Sequence, residues 1–279
     1  MATPIGPETP LARCLTVARS GDGAWTTEVG DFDWGGSFAG DLLARAALAA
    51  ARDAGDGAVL ASVQAHFLGS AAPGARAALR VEPLGSDRRR VALATDAGPA
   101  LELVAGFAAP GGGPSFQVDA LPAIAAPETL PSDVELARAD GWPARFLAPI
   151  EFRRAEPRAW PFPGAADGEP TRWIGWLRPR AALPVDDLAL HAAALVFASD
   201  YRSHWGVEVR LGAAFQKHVY TSVDHALWIH APQPWTDWWC FATHADVARD
   251  GRVLTLREVW TRDGVRVATI AQHGRVERG

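Results

Sequence analysis

Apolar positions along this chain gather into two runs of segments, split by a stretch rich in Pro, Gly and Ala between Pro110 and Pro143. In the first run, Gly35-Gly36 leads into an alanine-rich segment, Ser37 to Arg52, whose pattern predicts a helix. Strand patterns follow at Val59–Leu68, Ala75–Pro83, Arg89–Thr95 and Leu101–Ala108. The second run predicts a helix from Asp187 to Ser199, with Asp186 as its N-cap. Its strands are expected at Ala214–Thr221, Ala226–His230, Trp238–His244, Val253–Thr261 and Val265–Gln272. Asp263-Gly264 is a tight-turn signal between the last two, with a weaker counterpart in Asp96-Ala97-Gly98.

Both runs share one plan, a helix followed by strands that end in a hairpin. The second helix adds a physical constraint. Leu188, Leu190, Ala192, Ala193, Ala194, Leu195, Val196, Phe197 and Ala198 leave it almost no polar face. A helix that is apolar all round has to be enclosed. A curved antiparallel sheet wrapped around it does this, so an α+β protein of two such repeats, joined through one sheet, is expected. The repeats fall at residues 1–110 and 146–279, with a linker over 111–145. That linker carries one short helix, Ser132 to Ala139, capped by Ser132. Pro157 to Pro170 reads as a surface loop.

Charge and cysteine usage narrow the function classes. A formal net charge of −5 supplies no basic excess to displace counterions from phosphates, which argues against nucleic-acid binding. Cys14 and Cys240 are the only cysteines and are far apart. A disulfide framework or a zinc cluster is not expected, and a cytoplasmic setting fits. Met1 to Thr16 lacks the basic start and apolar core of a secretory signal. The longest apolar segment, Leu188 to Ser199, falls short of the roughly 20 residues a membrane span needs.

Several stretches then point to one family. Trp34-Gly35-Gly36-Ser37-Phe38-Ala39-Gly40 opens the first helix, and His66-Phe67-Leu68 precedes Pro73-Gly74. Pro149-Ile150-Glu151-Phe152-Arg153 leaves the linker. Ala198-Ser199-Asp200 ends the second helix, and Ser222-Val223-Asp224-His225-Ala226-Leu227-Trp228-Ile229-His230 follows. The chain closes on Thr261-Arg262-Asp263-Gly264 and Ala268-Thr269-Ile270-Ala271-Gln272. In their order and spacing these stretches resemble the type II acyl-CoA thioesterases, the TesB-like family of double-hotdog proteins. The resemblance implies a double hotdog fold. It implies a site made of Asp200, Ser222 and Gln272, with serine where threonine is commoner. It also implies attack by water on an acyl-CoA or carrier-protein thioester without a covalent intermediate, no cofactor or metal, and a homo-oligomer.

The residue types suit that chemistry. Thioester hydrolysis needs a held water, a proton acceptor and donors for the developing oxyanion. Asp200 can accept the proton, Gln272 can orient the water, and Ser222 can donate to it or fix Asp200. Backbone N–H groups at Trp34, Gly35 and Gly36, before the first helix, are candidates to polarise the carbonyl. Taken singly, Asp200 reads as a solvated helix-end carboxylate, Ser222 as a strand-edge serine and Gln272 as an outward-facing strand polar. Matching the hairpins by their turns sets Gly106 opposite Gln272, and aligning the preceding strands sets Ala61 opposite Ser222, or Ser62 after a one-residue slip, so the first repeat is expected to be scaffold.

Rival readings are weaker. Asp224 and His225 are adjacent on a strand and point to opposite faces, so a hotdog dehydratase built on His225 is disfavoured and a structural histidine preferred. An accessory acyl-binding protein is the other alternative. His225 and His230 do not have a zinc-pair spacing, and no G-x-S-x-G elbow occurs. Trp173, Trp176, Trp205, Trp235, Trp238 and Trp239 are expected in the core or an interface, with an aromatic acyl tunnel as the sharper option. Arg88-Arg89-Arg90 reads as a solvated edge.

Overall fold

The computed structural model describes residues 8–32, 38–55, 57–109, 111, 113–141, 148–155, 164, 172–212 and 217–279. Trp34, Gly35, Gly36 and nearly all of the loop expected at Pro157 to Pro170 lie outside them. The first repeat contains α1 (Leu11–Cys14), β1 (Ala18–Gly21), β2 (Ala24–Glu28), α2 (Ala39–Ala54), β3 (Val59–Phe67), β4 (Arg76–Pro83), β5 (Arg88–Thr95) and β6 (Gly98–Ala108). After the linker helix α3 (Asp133–Asp140), the second contains β7 (Ile150–Arg154), β8 (Arg172–Pro179), α4 (Leu188–Asp200), α5 (Trp205–Leu211), β9 (His218–Ile229), β10 (Trp239–Arg249), β11 (Arg252–Thr261) and β12 (Arg266–Arg278).

All twelve strands form one antiparallel sheet in the order β1-β2-β4-β5-β6-β3-β9-β12-β11-β10-β8-β7. The repeats meet where β3 pairs with β9, through Val63–Leu227, Gln64–Ala226 and Ala65–His225. Both long helices lie inside the curved sheet, side by side. The apolar α4 is enclosed as its composition requires: every residue from Ala193 to Asp200 is buried. Its N-cap is Asp187 rather than Asp186; one carboxylate oxygen accepts from Leu190 N–H while the other meets Arg52 of α2. The linker helix has the full capping box, with Ser132 Oγ accepting from Glu135 N–H and Glu135 accepting from Ser132 N–H.

The helices approach so closely at one point that a side chain has no room. A Cβ on Gly40 would lie 2.6 Å from the Phe197 carbonyl oxygen of α4 and 2.6 Å from the Phe38 ring. Gly40→Ala is therefore expected to cost about 1–3 kcal/mol through overpacking. Urea unfolding would register it as a lower midpoint with unchanged slope.

The ladders supply an internal alignment of the repeats. Each repeat carries a bulge on its central strand, at Ala61 in β3 and at Val223 in β9. Each carries another on its last strand, at Ala100 in β6 and at Val267 in β12. Matching the bulges sets Leu60 opposite Ser222, Val63 opposite His225, Ala105 opposite Gln272, Val91 opposite Arg257 and Val81 opposite Thr243. Gly106 and Ala61 are thus each one residue off the true equivalents; for Gly106 the cause is turn length, since Thr95 pairs with Gly98 whereas the Thr261 N–H meets the Val265 carbonyl. The replacements, Leu60 and Ala105, also lack a group that could hold water.

β9 is one strand where the sequence predicts two separate ones. The bulge at Val223 breaks the period-two pattern, so its halves look unrelated in the sequence.

Candidate active site

Asp200 is the last residue of α4 and is 6% exposed. Its Oδ1 accepts from Gln272 Nε2 at 2.6 Å and from Ser222 Oγ at 3.3 Å. Its Oδ2 accepts from the Gly40 N–H at 3.0 Å. The carboxylate thus ends one helix and caps the first turn of the other. The negative end of α4 disfavours its charge, and the positive end of α2 favours it. Gln272 Nε2 also donates to Ser222 Oγ at 2.8 Å, closing a triangle of three side chains.

The sheet delivers the other two members. On β12 the inward positions are Ala268, Ile270 and Gln272, so Gln272 faces the core and is 1% exposed. Ser222 and His225 are an odd number of residues apart, which on a regular strand puts them on opposite faces. The Val223 bulge shifts the phase and turns both inward. Asp224 points the other way, where His66 Nδ1 at 2.6 Å and His273 Nδ1 at 3.0 Å meet its carboxylate.

A cavity of about 950 Å³ opens onto this triangle. Asp200 and Ser222 line it, with Phe38, Leu42, Phe67 and Leu68 among its apolar walls and Arg202 and Arg275 among its polar ones. Gln272 stands behind the other two rather than in the cavity wall. The three predicted residues are therefore brought together, and two of them face open space. Trp34, Gly35 and Gly36 lie outside the described residues. The α2 N-terminus that they precede does reach the cavity through Phe38 and Ala39.

His225 is 2% exposed and does not line the cavity. Its Nδ1 lies 3.0 Å from Gln272 Oε1 and its Nε2 lies 2.8 Å from Ser199 Oγ. Both nitrogens are engaged within the protein, which leaves neither to act on a substrate as a dehydratase base would. Burial pushes its pKa down to about 4, against the opposing pull of Asp200. The unfolded chain takes up a proton near pH 6.5 that the fold refuses, so stability falls as pH drops through that value towards 4. The thermal midpoint of His225→Asn is expected to fall less over this window than that of the parent, in paired scanning calorimetry.

Arg257 was missed by the sequence reading. It is 1% exposed on β11, and its Nη1 donates to the carbonyls of Ala198, Ser199 and Tyr201 at 3.0–3.1 Å. Nε donates to Thr243 Oγ1 at 2.7 Å. These bonds gather the carbonyls at the end of α4, of which Ala198 also accepts from the Tyr201 N–H, and hold the turn that carries Asp200. Burial lowers its pKa to about 10, which leaves it charged at neutral pH. Strand phase was the available signal: Arg257 falls between Val253, Thr255 and Val259 at inward positions.

Among the described residues, none of the six tryptophans and none of Arg88, Arg89 and Arg90 lines the cavity. Trp173 packs edge-on to Trp205 with centroids 5.0 Å apart, and Trp235 stacks on Trp239 at 4.9 Å. Trp176 donates to the Ala125 carbonyl at 2.9 Å and so anchors the linker. Arg89 pairs with Asp53 and Arg90 with Glu102, each at 3.0 Å. Among the described residues no group of His, Cys, Asp or Glu is arranged to hold a metal ion, and no helix is long and apolar enough to cross a membrane.

Comparison with known proteins identifies the family and the fold. The family model described as the acyl-CoA thioesterase C-terminal domain matches residues 119–276, more than half of the chain. The chain belongs to this family. Acyl-coenzyme A thioesterase 8 of Homo sapiens is 28% identical over 126 residues, 45% of this chain and 39% of that protein. The Mus musculus protein of the same name is 28% identical over 99 residues, 36% of this chain. The match spans 31% of the mouse protein, so the chain covers only about a third of the length of such relatives. Among solved structures, an acyl-CoA thioesterase II, TesB2, from Mycobacterium marinum superposes with a TM-score of 0.79 at 22% identity, covering 96% of this chain and 97% of that one. A hot dog fold protein from Alicyclobacillus acidocaldarius reaches 0.77 at 17% identity, covering 96% and 98%. At these identities the structures establish the fold, a double hotdog.

Proposed function

We propose that the protein hydrolyses acyl thioesters, of coenzyme A or of a carrier protein, by direct attack of a water held at Asp200 and Ser222. The observation that carries this reading is the hydrogen-bonded triangle of Asp200, Ser222 and Gln272 in the wall of a large cavity at the α2 N-terminus. A proton inventory shows what the triangle can do. Asp200 Oδ2 keeps a lone pair beyond the Gly40 bond, and Ser222 Oγ keeps one beyond the Gln272 bond. A water giving one hydrogen to each has both O–H bonds engaged and a lone pair facing the cavity. Asp200 then takes its proton as the new C–O bond forms. Collapse of the tetrahedral intermediate breaks the C–S bond, and the proton held by Asp200 passes to the departing sulfur, which leaves as the thiol. Gln272 acts by fixing the two acceptors, which removes much of the entropic cost of ordering the water.

The developing oxyanion belongs at the first turn of α2, where the helix end carries partial positive charge. Phe38, Leu42, Phe67 and Leu68 suit an acyl chain, and Arg202 and Arg275 suit an anionic handle such as the phosphates of coenzyme A. The cytoplasmic location and homo-oligomer expected from the sequence belong to the same proposal.

Free-thiol release from short, long and aromatic acyl-CoA esters tests the activity. Steady hydrolysis of at least one class is expected. Intact folded protein releasing no thiol across the panel would leave an acyl-binding accessory scaffold in place of an enzyme.

A further inference from the structure

We propose that His225, held by Ser199, is a positioning residue that sets the amide of Gln272 with its N–H side towards Asp200 and Ser222. The inference rests on the hydrolytic reading above and adds to it a relay that touches neither water nor substrate. A glutamine amide is nearly symmetric in shape, and flipping it exchanges oxygen and nitrogen. One orientation gives two donors to Asp200 Oδ1 and Ser222 Oγ, at 2.6 and 2.8 Å. The flipped one sets Oε1 against a carboxylate oxygen, two acceptors without a proton between them, and leaves Asp200 and Ser222 joined only by their direct bond at 3.3 Å.

The third contact of the amide decides between them. His225 Nδ1 lies 3.0 Å from Gln272 Oε1, and a protonated Nδ1 rewards the productive orientation. A bare Nδ1 would reward the flipped one instead. Which nitrogen carries the ring proton is set by the partner of the other. Ser199 Oγ sits 2.8 Å from Nε2, its proton shared with the Val196 carbonyl 2.6 Å away. That hydroxyl has one proton and can turn it to either acceptor. The Gln272 oxygen can only accept, so it holds the ring proton on Nδ1 and draws the Ser199 proton to Nε2. The relay runs from Ser199 through His225 and Gln272 to Asp200, the residue next to Ser199 on α4. Ser199, His225 and Gln272 are 1%, 2% and 1% exposed, so bulk water cannot substitute for any link.

The first repeat provides a control. It has the same strands, bulges and central helix, yet Val63 stands where His225 does, beside Ala105 in place of Gln272. The histidine occurs only in the repeat whose last strand carries an amide to orient. Packing alone is met by valine.

A double-mutant cycle tests this. Asparagine can place an amide N–H where Nδ1 lies, whereas leucine cannot. His225→Leu is expected to lower kcat about 10–100-fold with KM little changed, and His225→Asn to recover most of that loss. On a Gln272→Ala background, His225→Leu should cost less than about 3-fold more, because the amide it orients is gone. Equal losses in both backgrounds, or a folded His225→Leu enzyme with parental kcat, would overturn the proposal. Should the leucine variant fail to fold, Ser199→Ala serves in the same cycle, with a smaller loss of kcat that vanishes without Gln272. More than a tenth of parental activity in Asp200→Asn, run alongside, would sink the Asp200-held water on which the proposal rests, and a folded parent that releases no thiol would sink hydrolysis itself, which separates these failures.

Discussion

Asp200→Asn is expected to lower kcat/KM for thioester hydrolysis by about 10²–10⁴-fold, the usual contribution of a positioned general base. Asparagine has nearly the size of aspartate, so packing beside Phe197 and Ser222 is retained. Its single carbonyl oxygen cannot serve both sides, however. If it accepts from Gln272, its NH2 faces the Gly40 N–H, and one of the bonds at 2.6 and 3.0 Å is lost. That loss is worth about 1–3 kcal/mol of stability, since a buried donor is left unmet. The catalytic loss is far larger than such a change can cause in an enzyme that remains folded. Thiol-release kinetics together with a thermal melt check both parts. More than a tenth of parental activity in the variant would rule out Asp200 as the base.

Arg257→Met is expected to lower stability by about 3 kcal/mol, a midpoint shift on the order of 10 °C for a chain of this size. Three carbonyls at the end of α4 and the Thr243 hydroxyl share this one guanidinium. Removing a buried charge returns some desolvation energy, but the buried acceptors it leaves cost more. Lysine should recover less than half of the loss, because a single ammonium cannot reach the carbonyl cluster and Thr243 together. The first repeat bears on this too. Val91 and Val81 occupy the equivalent places, so the fold tolerates an apolar pair there. The arginine is needed where a helix ends on a buried carboxylate. Calorimetry of Arg257→Met and Arg257→Lys would settle the ranking, and a lysine variant as stable as the parent would contradict it.

How far the sequence revealed this arrangement depended on the kind of signal. The enclosure of α4 was legible because no polar stripe interrupts Leu190 to Ala198. The hairpin of β11 and β12 was legible from Asp263-Gly264. Asp200, Ser222 and Gln272 emerged from the order of family-like stretches, since each alone looks unremarkable. β1 and β2 were missed because they are only four and five residues long, β1 being a wholly exposed edge strand and β2 its neighbour with one buried residue, Trp25. β7 and β8 were missed because a Pro/Gly-rich stretch of sequence separates them and Gly175 interrupts the apolar run of β8. The bulge at Val223 left no composition mark. It hid the continuity of β9 and concealed that Ser222 and His225 share a face. Arg257 was hidden differently, since a charged residue on a strand is normally assigned to the solvent side.

Single-turnover hydrolysis in oxygen-18 water, with enzyme in excess over acyl-CoA, tests the central claim most directly. Attack by a water held at Asp200 and Ser222 predicts one heavy oxygen in the released acid and none in the protein. An unlabelled acid, with the heavy atom found on the peptide that contains Asp200, would mean that the carboxylate itself had attacked the thioester.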